Sequence, residues 1–217
     1  AASCVAIARA LSDEFQLGLT GEQINAAAYA GEIAYHGPTH AGLDNTAATF
    51  GGLLWFLKGP PAHHEKIALP NAVEIVMANT GRVANTAEVI AHVARRRASD
   101  PGCFQGLLKS AAQLAEEARG ALESGELSNV GQLMDTNHRL LQSIGVTCPE
   151  LDHLVAVARQ NGAWGAKCTG AGGGGCIVAL TPGAELQQRV ARAIEREGFE
   201  ALQARVGIRS DASPGIH

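Results

Sequence analysis

Apolar side chains recur at helical spacing over residues 1–15 and again over 21–35, where Glu22 and Gln23 occupy a first turn that the helix dipole favours for acid. His36-Gly37-Pro38 stops this second run, since proline cannot continue a helix. Residues 46–57 are rich in β-branched and aromatic side chains and are interrupted by Gly51-Gly52, which predicts a strand, a bulge and a second strand. Gly59-Pro60-Pro61 is the candidate boundary between two lobes. Beyond it, 72–78 reads as a buried strand, 84–97 as a helix, and 106–124 as a long amphipathic helix ended by Gly125. Two more helices follow over 127–144 and 149–160, with Gly145 as a cap and Pro149 as a starter. Strand-like 163–167 and 176–180, a helix over 184–197 and a closing strand over 199–206 complete the pattern, and 209–217 reads as a mobile tail. The second lobe is therefore expected to be α+β, with helices against an antiparallel sheet.

Composition narrows the classes. A hydrophobic share of 46% with 18% charged residues is that of an ordinary globular protein. The net charge of −4 gives no field for nucleic acid, and Arg95-Arg96-Arg97 closes a helical pattern where cations suit the dipole. Five scattered cysteines without a C-x-x-C pair argue against a disulfide framework and a structural zinc site, so a cytoplasmic location is expected. No apolar run reaches the roughly 18 residues of a membrane span.

Candidate chemistry concentrates in Lys167-Cys168-Thr169-Gly170-Ala171-Gly172-Gly173-Gly174-Gly175-Cys176. Glycines tolerate positive φ, so such a loop can turn several amides toward an anion such as phosphate; a tight loop between packed strands is the alternative. Gly170, Gly172 and Gly175 satisfy the dinucleotide spacing, but the sequel reads as a strand where that fingerprint needs a helix. A Walker loop needs Lys-Ser or Lys-Thr after its last glycine, and here Cys176 follows.

A polar turn between helix and strand presents one carboxylate, Asp44, which can act as a general base or equally cap a turn or helix. Glu32 lies twelve residues earlier, near the end of the preceding helix, so chain reversal can bring both acids to one place, and two acids with a phosphate loop suggest magnesium. His63-His64 beside Glu65 reads as a solvated turn, His138 as a packing contact, and Cys168 and Cys176 as small packing residues.

Taken together, Glu32, the segment 36–52, Asn79-Thr80-Gly81 with Asn85-Thr86, the run 133–141 with Gly145-Val146, and the 167–175 loop resemble the superfamily of galactokinase, homoserine kinase, mevalonate kinase and phosphomevalonate kinase, known as GHMP kinases. The pattern is most similar to the mevalonate kinase branch, with His-Gly-x-Pro-Ser-Gly-x-Asp-Asn before Thr-x-Gly-Gly. The resemblance implies an α+β fold: the end of a ribosomal-S5-like N-terminal lobe in 1–58 and a ferredoxin-like C-terminal lobe in 62–208. It implies a kinase that uses ATP and Mg2+ to phosphorylate the primary hydroxyl of mevalonate. Asp44 would stand at the acceptor hydroxyl, Glu32 on the metal, and Thr86 near the substrate. Gly170, Ala171 and Gly172 would touch substrate, and Thr169, Gly170, Gly172, Gly173 and Gly174 would form the phosphate loop. A homodimer, another acceptor such as a sugar or phosphomevalonate, and a non-catalytic binding protein are the further expectations.

Two departures stand out. His40-Ala41 replaces the family's Pro-Ser, in a segment one residue longer. The family's first two motifs, including its main ATP loop, would fall before Ala1, so the chain is expected to be part of a longer kinase, with the N-terminal segment as its partner.

Overall fold

The computed structural model describes residues 1–37, 41–59 and 62–207. The chain divides into two compact units, Ala1–Ala68 and Leu69–His217.

The first unit opens with α1 (Ala2–Glu14), α2 (Gly21–His36) and α3 (Leu43–Phe50), followed by β1 (Leu54–Leu57) and β2 (His63–Lys66). A capping box starts α2: Thr20 Oγ1 accepts from the Gln23 amide and Gln23 Oε1 accepts from the Thr20 amide. Val5, Ile24 and Ala28 form the small core that joins α1 to α2. The strand expected to begin at Thr46 is a helix. Thr46 Oγ1 donates to the Gly42 carbonyl at 2.6 Å and Thr49 Oγ1 to the Asn45 carbonyl at 2.8 Å, so both β-branched residues bond back along the helix. Gly51 and Gly52, with φ of 62° and 76°, follow α3 as its stop rather than as a strand bulge.

His63 and His64 belong to β2, which pairs antiparallel with β1, and not to a turn. His64 stacks on Phe50 with ring centroids 4.3 Å apart. Of the expected boundary at Gly59-Pro60-Pro61, Pro60 and Pro61 lie outside the described residues, and the two compact units meet at Ala68 and Leu69.

The second unit runs β3 (Val73–Asn79), α4 (Thr86–Ser99), α5 (Pro101–Ser124), α6 (Leu127–Ile144), α7 (Pro149–Gln160), β4 (Gly165–Thr169), β5 (Cys176–Leu180), α8 (Ala184–Arg196) and β6 (Glu200–Val206). The sheet has the order β4-β5-β3-β6, every pair antiparallel, which is the expected ferredoxin-like arrangement. Val76, Ala78, Ala166, Cys168, Ile177 and Ala179 face α7 and α8 and bury Leu151, Leu154, Val190 and Ile194 completely. Val73 and Leu180 on the opposite face pack with Ala121 of α5 and Val130 of α6.

Helix α6 also closes the free edge of β4. Asp135 Oδ1 accepts the Ala166 amide at 3.0 Å and His138 Nδ1 accepts the Cys168 amide at 3.3 Å, so side chains one helical turn apart replace a neighbouring strand. The approach requires glycine on both sides, because a β-carbon on Gly131 would overlap the Trp164 carbonyl and one on Gly165 the Gly131 backbone. The expected tail, 209–217, lies outside the described residues.

Candidate active site

In the first unit Glu32 sits in the last turns of α2 and is only 5% exposed. Its Oε1 lies 2.7 Å from the Ala1 ammonium and accepts from Cys4 Sγ at 3.5 Å. Asp44 is not in an open turn but in the first turn of α3, where its side chain is exposed. Gly42, at φ 81°, is the N-cap that starts this helix. Asn45 anchors α3 on α2 by donating from Nδ2 to Asn25 Oδ1 at 2.6 Å. A cavity of about 720 Å3 opens beside this turn, lined by Asn25, Tyr29, Gly42, Asn45, Lys58 and His64 among others. The buried Asn45 Oδ1 has no hydrogen-bond partner and is an acceptor in need of a donor.

Both acids stand near the start of α1. Glu32 touches the Ala1 nitrogen, and Asp44 is close enough to act on it through its charge. Among the described residues no three His, Cys, Asp or Glu side chains gather as a complete metal cage. Magnesium requires no such cage, because one or two carboxylates suffice when phosphate oxygens and water supply the rest. The carboxylates of Glu32 and Asp44 are hard oxygen donors of the kind that ion takes.

In the second unit the glycine loop is held from two sides. Gly173 N–H donates to the Val146 carbonyl at 2.8 Å and Gly175 N–H to the Arg82 carbonyl at 3.1 Å, while Thr80 returns both its amide and its hydroxyl to the Gly175 carbonyl at 2.9 Å. A β-carbon on Gly172 would overlap the Val146 carbonyl, and one on Gly174 would lie 2.7 Å from the Arg82 carbonyl. These two glycines therefore answer to packing. Gly170 has open space around it and still adopts a φ of 81°.

The amides of Gly170, Ala171, Gly172 and Gly174 have no hydrogen-bond partner among the described residues. Such unspent amides, in a loop whose glycines adopt positive φ, are the donors an anion requires. Gly173, counted in the phosphate loop from sequence, spends its amide on protein. Thr86 is exposed at the first position of α4, behind an Asn85 cap, and Val89 of the same turn abuts Gly173.

Sequence reasoning missed Val146 and Arg82 as the carbonyls that shape the loop and Asp135 as the edge cap; Val146 and Asp135 stood inside quoted motifs and Arg82 beside one, without these roles. Cys168 is a packing residue, 1% exposed, and all five cysteines are free thiols. Pro38, Thr39 and His40 lie outside the described residues, and with them the extra residue of that segment. No helix among the described residues is long and apolar enough to cross a membrane.

Two family descriptions match the chain, GHMP kinases N terminal domain over residues 1–52 and GHMP kinases C terminal over 118–201, together more than half of it. The chain belongs to the GHMP kinase family. Among GHMP kinases it is 36% identical over 211 residues to mevalonate kinase of Pyrococcus abyssi, a match covering 95% of this chain and 61% of the relative. It is 39% identical over 204 residues to mevalonate kinase of Thermococcus onnurineus, covering 91% and 59%. The chain thus spans about three fifths of the length of these relatives. The solved L. major mevalonate kinase in complex with R-mevalonate superposes with a TM-score of 0.87 at 35% identity, covering 95% of this chain and 65% of that one. A Streptococcus pneumoniae phosphomevalonate kinase, at 17% identity and a TM-score of 0.79, shares the fold.

Proposed function

We propose that this chain carries the catalytic acids of a small-molecule kinase that moves the γ-phosphate of ATP to the primary hydroxyl of mevalonate. The observation that carries the reading is the placement of Glu32 and Asp44 in one unit, on the contacting helices α2 and α3. The similarity to a kinase solved with R-mevalonate supports the choice of acceptor.

In this reading Asp44 holds the acceptor hydroxyl and takes its proton as the oxygen bonds to the γ-phosphorus and the bond to ADP breaks. Glu32 holds magnesium, which when bound neutralises charge on the phosphates. Gly170, Ala171 and Gly172 supply unspent amides to a phosphate group, with Thr169 and Gly174 at the margins of that loop, and Thr86 lies near the substrate. Phosphoryl transfer asks mainly for positioning and charge neutralisation, and these residues provide both.

The test is ATP-dependent turnover by the natural polypeptide with mevalonate, phosphomevalonate and galactose as acceptors. Mevalonate is expected to be the best of the three, and Asp44→Asn should lower kcat by about two to four powers of ten. Equal or better turnover of galactose or phosphomevalonate would overturn the acceptor assignment. An Asp44→Asn enzyme of full activity would overturn the role of that residue.

A further inference from the structure

Lys167 has no role in the proposed reaction, yet its surroundings are unusual for a lysine. On β4, Ala166 and Cys168 point into the core beneath α7 and α8, so Lys167 and Thr169 lie on the other face, immediately before the glycine loop. The side chain is half-buried and curls toward the edge of the sheet, where Nζ donates to the Cys168 carbonyl at 2.9 Å. That is its only hydrogen bond among the described residues, and no carboxylate there pairs with it.

An ammonium has three donors, so two are unspent. Burial pushes the Lys167 ammonium below the usual lysine range, against a weaker opposing pull from Cys168, and no carboxylate among the described residues pairs with it. A cation held this way without a counter-ion is costly unless a ligand supplies the charge. The nearest unspent groups along the chain are the amides of Gly170, Ala171 and Gly172, themselves donors that want an anion.

We propose that Lys167 is a phosphate-binding residue, whose ammonium meets a phosphate group cradled by the Gly170, Ala171 and Gly172 amides. The inference rests on the kinase reading, because that reaction brings phosphate as nucleotide and as phosphorylated product. It assigns to one residue of the second unit the charge that loop amides alone lack.

The test compares wild type, Lys167→Met and Lys167→Arg in the natural polypeptide, by calorimetric titration with ATP, 5-phosphomevalonate and inorganic tripolyphosphate, and by ligand-free melting. Lys167→Met should bind at least one of these ligands about ten- to a hundred-fold more weakly, as expected for the loss of a charge-assisted hydrogen bond. Lys167→Arg should recover most of that loss. The ligand-free melting temperature of Lys167→Met should be unchanged or higher, since a desolvated, unpaired charge has been removed.

Weakening confined to ATP identifies the nucleotide as the phosphate source, and weakening confined to 5-phosphomevalonate identifies the product. Unchanged binding of all three ligands by Lys167→Met overturns the proposal, as does weakening that Arg does not recover and that comes with a lower melting temperature. Tripolyphosphate keeps the outcome separate from the kinase reading, which fails on its own terms if wild type does not phosphorylate mevalonate.

Discussion

A methyl group added at Gly172 would be driven into the Val146 carbonyl, whereas one added at Gly170 would meet open space, although both residues adopt positive φ. Gly170→Ala should therefore cost only the left-handed penalty, about 1 kcal/mol, while Gly172→Ala should cost about 3 kcal/mol or more. Urea unfolding of the two variants checks this, and equal costs would show that the loop yields around Gly172. At this scale the sequence shows that glycine is needed and hides the reason. Five glycines in a row of six small residues announce a close approach, but not whether protein or ligand makes it. Asp44 was similarly readable as an isolated acid while its place in the first turn of α3 was not, because that turn depends on Gly42 at φ 81° and on threonine hydroxyls bonding backwards.

The α6 and β4 pair shows what an element adds. Cys168 N–H can donate to His138 Nδ1 only while that nitrogen is unprotonated, which puts the proton of the neutral ring on Nε2. Nε2 lies 3.1 Å from Asp152 Oδ1 but out of line for a hydrogen bond, so the contact is electrostatic. Burial pushes the His138 imidazole below the usual histidine range, against the opposing pull of Asp152. A depressed histidine is neutral in both states above the unfolded pKa of about 6.5, and stability is lost as the pH falls through the lower folded value. His138→Asn should be less stable than wild type at pH 7.5, by about 1–2 kcal/mol, and the gap should narrow toward pH 5. Denaturant titrations across that range test it, and a gap that widens in acid would mean that His138 is charged in the fold. Helices α6 and α7 were legible to the residue, since amphipathic spacing, Gly145 and Pro149 all lie within them or at their ends. Strand β2 was not, because His63-His64-Glu65-Lys66 has no apolar alternation and is extended only through pairing with β1.

For the whole molecule the reading predicts a ligand effect. ATP with magnesium should raise the melting temperature of the natural polypeptide, by the equivalent of about 2.7 kcal/mol at a ligand concentration of a hundred times Kd, and chelation should remove most of the gain. Melting curves with ATP, with and without chelator, decide the matter; a full shift in excess chelator would argue against magnesium at Glu32. By itself the sequence determined the order and type of most elements, the α+β class and the motifs that mark a GHMP kinase, since periodicity, caps and glycine content act over a few residues. Tertiary structure alone decided that α6 seals the edge of β4 and which loop amides are spent. Those features depend on partners far away in sequence, such as Thr80 and Gly175, 95 residues apart, and no local pattern encodes where a distant carbonyl will stand.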